Sequence, residues 1–249
     1  MMRLRQVVIA ARDLDATVAE LTAVLGIRVG FNDPGVAEFG LVNAVMPVGD
    51  TFLEVISPVA PSAPAQRWLD RRRGDGGYML ILQSTDLDGD RARVAGLGIR
   101  TVWKMDLEDI RGTHLHPHDT GGTLLSLDEA KPPESWRWAG PEWKTHARVE
   151  RVRQITAAEM QSRDPQALAV RWSEILDRPA RELSSGGFEI ALEQGQLRFV
   201  PDRDGRGEGL VGFDVRAADR AALLGSARER GVAVSGDQIT IGGVRIAIG

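Results

Sequence analysis

The chain repeats itself, and a repeat of this kind leaves few folds open. Arg12-Asp13-Leu14-Asp15, running to Leu25-Gly26-Ile27-Arg28, recurs as Thr85-Asp86-Leu87-Asp88, running to Leu97-Gly98-Ile99-Arg100. A third copy opens at Asp164-Pro165 and closes at Ile175-Leu176-Asp177, and a weaker fourth runs from Ala218-Asp219 to Arg230-Gly231-Val232. In the first copy Asp13 is a good N-cap, Leu14, Val18, Leu21 and Leu25 fall at helical spacing, and Gly26 closes the helix. In the third, Asp164 caps, Pro165 takes the first helical position, and Leu168, Trp172, Ile175 and Leu176 share a face.

Around these helices the pattern turns to strand. Residues 4–11 read as a buried strand, followed after the helix by apolar runs at 37–46 and 51–56 with the turn Gly49-Asp50 between them. A short helix is expected at 65–72, a strand at 78–84, a helix at 86–97, and strands near 101–103, 113–116 and 123–127. The second half repeats this with strands at 149–157, 187–192, 197–200, 210–215, 238–241 and 244–248, and helices from 164 and 219. Strand, helix, then two or three strands, four times over, describes an α+β chain of tandem β-α-β-β-β modules. Such modules cannot bury both faces alone, so they pair into curved mixed sheets with helices outside. A doubly wound sheet, which needs a helix between nearly all strands, is excluded.

Residues 131–147 break the pattern. Lys131-Pro132-Pro133-Glu134-Ser135-Trp136-Arg137-Trp138-Ala139-Gly140-Pro141-Glu142-Trp143 is dense in proline and tryptophan and reads as an ordered connector on a domain surface. The expected organisation is therefore a first domain at 1–130 (modules 1–60 and 77–130), the connector, and a second, degenerate domain at 148–249. The tryptophans either staple the connector to its domains or stack on an aromatic ligand.

Composition narrows the function. With no cysteine, disulfides, thiolate metal sites and a cysteine nucleophile are out, and a reducing cytoplasm fits. No window approaches the roughly 18 consecutive apolar residues of a membrane span, and residues 1–8 enter a strand without a leader's apolar region. The net charge of -4 is mild and arginines alternate with acids, so neither nucleic acid nor a membrane surface is an expected partner. Arg71-Arg72-Arg73 reads as a solvated helix end. The segment 205–209 follows no phosphate-loop pattern and reads as a turn, and no nucleophile elbow or Walker motif is present.

The strand–Asp-Leu-Asp–helix–Leu-Gly-Ile pattern resembles the vicinal oxygen chelate superfamily, which includes glyoxalase I, bleomycin-resistance proteins, extradiol dioxygenases and methylmalonyl-CoA epimerase. His116-Pro117-His118-Asp119-Thr120-Gly121-Gly122-Thr123-Leu124-Leu125-Ser126-Leu127 is similar to the His-Pro…Gly-Gly segment before the last strand of epimerase-like members. The resemblance implies a cupped sheet that, in metal-dependent members, holds a divalent ion on His and Glu from the first and last strands of paired modules. Those positions here are Gln6, Glu54, Met79 and Ser126, and in the second half Gln154, Arg198, Leu210 and Ala247. Glu54 alone keeps a strong ligand type, so no metal or other cofactor is expected at this cup.

Two functions remain open. One is a small-molecule binder, with Gln6, Glu54, Met79, His116 and Ser126 lining the first domain's pocket. The other is a lyase or isomerase acting next to a carbonyl or acyl thioester, with Glu54 as a base of raised pKa and His116 as acid or electrophile. Glu54 has a plainer alternative, a pairing with arginine or with Gln6. His114 and His116, on alternate positions, can contact ligand or chelate a metal with Asp119 nearby, or bond to backbone in a loop that Pro117 starts. Arg198 reads as one arm of a salt bridge. The resemblance also makes a homodimer an expectation.

Overall fold

Each repeat turns from strand to helix at an aspartate whose side chain caps the helix that follows. Asp13, Asp86, Asp164 and Asp219 accept from the amides of Ala16, Gly89, Ala167 and Ala222, satisfying donors that the first helical turn leaves open. The computed structural model describes residues 1–249. The first module is β1 (Met2–Ala10), α1 (Leu14–Leu25), β2 (Leu41–Val48) and β3 (Thr51–Pro58). After α2 (Pro64–Arg72) the second comprises β4 (Gly76–Ser84), α3 (Leu87–Gly96), β5 (Thr101–Asp106), β6 (Ile110–Leu115) and β7 (Leu124–Ala130). The connector holds α4 (Trp143–His146). The third module is β8 (Val152–Ser162), α5 (Pro165–Leu176), β9 (Ala180–Glu182), β10 (Phe188–Ala191) and β11 (Gln196–Pro201). The fourth is β12 (Gly209–Ala217), α6 (Arg220–Glu229), β13 (Ala233–Ser235), β14 (Gln238–Ile241) and β15 (Val244–Ile248).

Two mixed sheets result, ordered β2-β3-β1-β4-β7-β6-β5 and β13-β14-β15-β12-β8-β11-β10-β9. Within every module the first and last strands run parallel, which requires the helix as a crossover. The fold is α+β, as the repeat implies. The sheets divide at the connector, but contact density divides the chain otherwise. One unit is 1–5, 79–137 and 157–210, and the other is 6–78, 138–156 and 211–249. In the first, Trp172 of α5 is fully buried, edge-to-face on Phe199 at 5.7 Å, with its indole N–H donating to the Thr120 carbonyl at 3.1 Å. In the second, Leu21, Val24 and Leu25 of α1 are fully buried, each contributing ~1.5–3 kcal/mol.

Several boundaries differ from the expectation. Residues 37–39 belong to a 3₁₀ turn (Pro34–Phe39), because Pro34 sets its first position and Gly40, at φ 70°, ends it. β8 begins at Val152 rather than 149, β6 ends at Leu115, and the three-residue β9 and β13 are too short to leave a periodic signal.

The connector is pulled onto sheet faces. In the first unit Gln83 Nε2 donates to the Pro133 carbonyl at 2.7 Å, joined by Arg3 at 3.4 Å, and Arg5 reaches the carbonyls of Glu134 and Ser135 at 3.4 Å. The Arg5 guanidinium stands 5.2 Å over the ring of Trp136, which is buried. In the second unit Trp143 meets Phe52 edge-on at 5.1 Å, and the left-handed Gly140 sits where a Cβ would strike Phe31. The tryptophans thus staple the connector. A Cβ built on Gly30 lies 3.2 Å from the His146 Cβ and 3.1 Å from Pro47, a few tenths of an ångström inside the roughly 3.5–4.5 Å of a disulfide, so a small outward shift brings the pair into range. Gly30→Cys with His146→Cys therefore oxidises to a disulfide that raises the Tm, an upper bound of about 4–5 kcal/mol applying to a loop near a hundred residues. A thiol count with and without reductant, and a melt of each form, check it.

Candidate functional site

The caps also align the repeats. At one fixed distance before each capping aspartate stand Gln6, Met79, Ala157 and Gly212, and two residues further on stand Val8, Ile81, Glu159 and Asp214. The last strands place Glu54, Ser126, Arg198 and Ala247 beside those latter four. Gln154 and Leu210, expected as second-half counterparts, are therefore corrected to Ala157 and Gly212. Gln154 instead donates to Asp50 at 3.3 Å and accepts from Arg216 at 2.8 Å.

Glu54, half-way along β3, points to the same face as Gln6, Val8 and Phe52 by strand alternation and register. Gln6 Nε2 donates to one carboxyl oxygen at 2.6 Å and Asn43 Nδ2 to the other at 2.7 Å. Asn43 is held in turn, its Oδ1 accepting from the Asp33 amide at 2.8 Å and its carbonyl from Asn32 at 2.5 Å. Glu54 is 7% exposed, Gln6 1% and Asn43 4%. Burial pushes the Glu54 carboxyl up to about 7, with Asp33 adding to the rise and the two amides opposing it. Asn43 and Asp33 were not foreseen. The Gly49-Asp50 turn pairs Val48 with Thr51, so counting back sets Val45 opposite Glu54 and Asn43 diagonal to it on the same face.

The other expected residues lie in the other compact unit. Met79 pairs with Leu124 and Ser126 with Ile81 and His114 in the β4-β7-β6 register. Ser126 is fully buried and its hydroxyl donates to Asp128. The His114 ring leans on Trp103 at 4.3 Å, and desolvation pulls its pKa down to about 4. His116 lies past the end of β6, where its Nδ1 accepts from the His118 amide at 3.1 Å. Asp119, in the same turn, is bound twice by the Arg100 guanidinium, at 2.6 and 2.8 Å. Arg198 pairs with Glu159 at 3.4 Å, and Glu189, between Arg181 and Arg198 in register, binds Arg181. The position equivalent to Glu54 is thus filled by one rung of a charge ladder.

Residues 7–176 match the family model described as the glyoxalase-like domain. The chain belongs to the glyoxalase-like domain family. It is accordingly a member of the vicinal oxygen chelate superfamily. Human mitochondrial methylmalonyl-CoA epimerase is 28% identical over 134 residues, covering 51% of this chain and 74% of the epimerase. The ethylmalonyl-CoA/methylmalonyl-CoA epimerase of Cereibacter sphaeroides is 27% identical over 135 residues, covering 51% and 97%. A hypothetical protein from Staphylococcus aureus, 10% identical, superposes with a TM-score of 0.70 over 100% of this chain and 99% of its own, and so shares the fold.

Metal-dependent members of the superfamily place a divalent ion at the four aligned positions, and the donors of this glyoxalase-like chain do not fit one. Glu54 already accepts an amide on each oxygen, Ser126 donates to Asp128, and Met79 offers a soft thioether where hard donors are needed. No three His, Asp or Glu residues are grouped to hold an ion.

The two shifted groups make stability respond to pH in opposite senses. Between the ordinary carboxyl value and about 7, the folded chain keeps the Glu54 proton while the unfolded chain releases it. The stability this group lends is full at low pH and falls by on the order of 3 kcal/mol as pH rises through 7. Neutral His114 works the other way, its stability present above the ordinary imidazole value and lost as pH falls toward 4. Glu54→Gln should therefore gain Tm relative to the native protein as pH goes from 5 to 8. Melts of both proteins across that range check it, and a constant difference would contradict the assignment. NMR of His114 should show no titration between pH 8 and about 5.

Proposed function

We propose that this glyoxalase-like protein binds a small carbonyl-containing molecule, an acyl thioester first of all, and that Glu54 moves a proton on the carbon beside the carbonyl. One observation carries the reading. Glu54 is a buried carboxyl, held on both oxygens by amides, whose proton affinity burial has brought to about neutral pH. A group so poised accepts a proton from carbon and returns it at comparable cost. As the C–H bond breaks, its electron pair passes into the adjacent C–C bond and the carbonyl oxygen gains the charge. Glu54 becomes neutral; its proton returns to the same face of the planar enolate and restores the centre, or to the other face after the enolate turns over and inverts it. Gln6 and Asn43 hold the carboxyl's orientation throughout. His116 lies in the other compact unit, its Nδ1 accepting from the His118 amide, and no step is assigned to it. The likeness to methylmalonyl-CoA epimerases supports an isomerase over a lyase.

A second reading, binding without turnover, is favoured by the burial of Glu54 and by the two amides that hold its oxygens in place. In that case Gln6, Asn43 and Glu54 contribute contacts rather than chemistry. No helix is long and apolar enough to cross a membrane. A cytoplasmic setting fits a chain without cysteine. A homodimer is supported at β5, the last strand of its sheet, where Val102 is 49% exposed.

The test is methylmalonyl-CoA in D₂O, followed by mass spectrometry of deuterium at the α-carbon. The native protein should exchange it, and Glu54→Gln should lose about 10²-fold or more while keeping its fold. No exchange by the native protein would sink proton transfer. Calorimetric titration with the same thioester would then decide whether binding stands alone.

A further inference from the structure

We propose that residues 138–147 are a gate over the Glu54 face, latched by Trp143 on Phe52, and that this segment swings away to admit a ligand. The proposal rests on the reading of Glu54 as the acting carboxyl, and it adds how a ligand reaches it.

The face is closed. Phe52 and Glu54 alternate along β3 and share their face with Gln6 and Val8 of β1. Trp143, itself buried, stands edge-on to Phe52 on that face. With Glu54 7% exposed, no acyl group meets its oxygens unless something moves. β2 and β3 are laced along their whole lengths, and β1 pairs with β3 from Gln6 to Ala10. Residues 138–147 have no such support. α4 is a four-residue helix without a side-chain cap, and its backbone bonds run locally from Thr145 to Glu142 and from Ala147 to Trp143. Pro141, Glu142, Lys144 and Thr145 are exposed. Ala139, Gly140 and Trp143 are buried, but with no strand ladder and only short local backbone bonds the segment is built to open by itself, below the cost of global unfolding.

The gate also rests on the loop that holds the Glu54 cradle. Gly140 seats against Phe31 and His146 against Gly30. Residues 31–33 pair with β2 through Phe31 and Val45, and the Asp33 amide and Asn32 side chain fix Asn43. Lifting the segment removes the packing behind the residues that aim Asn43 at Glu54. Opening and loosening of the carboxyl are thereby one event.

The cysteine-free chain allows a test that needs no turnover. Glu54→Cys, and separately Asn43→Cys, place a single thiol under the gate, and its reaction with a soluble aromatic disulfide is timed. Trp143→Ala should speed labelling at both reporters by about tenfold or more, since labelling tracks the open population. Glu142→Ala, on the exposed side of the segment, should leave the rates alone. Val24→Cys, a buried site on α1, reports whether the whole unit loosens. Acceleration confined to the Glu54 and Asn43 positions supports the gate. Equal rates with and without Trp143, or equal acceleration at Val24, would overturn it. Either result is independent of deuterium exchange, so the gate and the role of Glu54 fail separately.

Discussion

The hydrogen bond from a capping aspartate to the first turn of each helix organises this molecule more than any other single contact. It fixes where a strand stops and a helix starts, and the parallel pairing of first and last strands then fixes which residues stand side by side. Each cap is worth only about 1 kcal/mol. Its structural consequence is larger, because strand side chains alternate with a period of two and a slip of one residue would turn Glu54 out of its face. The four caps keep four modules in phase while their site residues diverge.

That divergence explains the chemistry. Glu54, Ser126, Arg198 and Ala247 occupy one structural position and are an acid, an alcohol, a base and a methyl group. Two have been absorbed into neighbouring polar contacts, Ser126 with Asp128 and Arg198 with Glu159. Ala247 brings no polar group. Only Glu54 combines ionisable chemistry with neutral partners. Amides from Gln6 and Asn43 stabilise the carboxylate less than a cation would, so burial dominates and the proton is held to neutral pH. Had Arg198 stood beside Glu54, the carboxyl would remain ionised and inert as a proton carrier.

Much of the fold was legible because its signals are local. Asp13 to Gly26 and Asp164 to Leu176 carry cap, apolar face and stop within a few turns. β9 and β13 were not legible, since three residues display no period. The start of β8 was misplaced because Val149 is apolar yet exposed. At the site, Glu54 stood out as a lone carboxylate in an apolar strand. Asn43 was obtainable from the Gly49-Asp50 turn by counting register. The seating of Trp136 and Trp143 was not, because nothing local says that a connector's rings will find Arg5 and Phe52.

The connector is where local reading and tertiary structure part, and it bears on the relation between fold and function. A sheet that curves leaves an inner face that must be covered, by ligand, by another chain or by its own. Here the chain's own tryptophans do part of this, with backbone carbonyls of 133–135 accepting from the buried side chains of Arg3, Arg5 and Gln83. The arginine-held half and the aromatic half differ in kind. Charge-assisted bonds to carbonyls and a cation over Trp136 resist opening in the first unit, while the second unit's half depends on Trp143 and local turns. The connector is thus held through arginine in the first unit and through aromatic packing in the second, there on the face that carries Glu54.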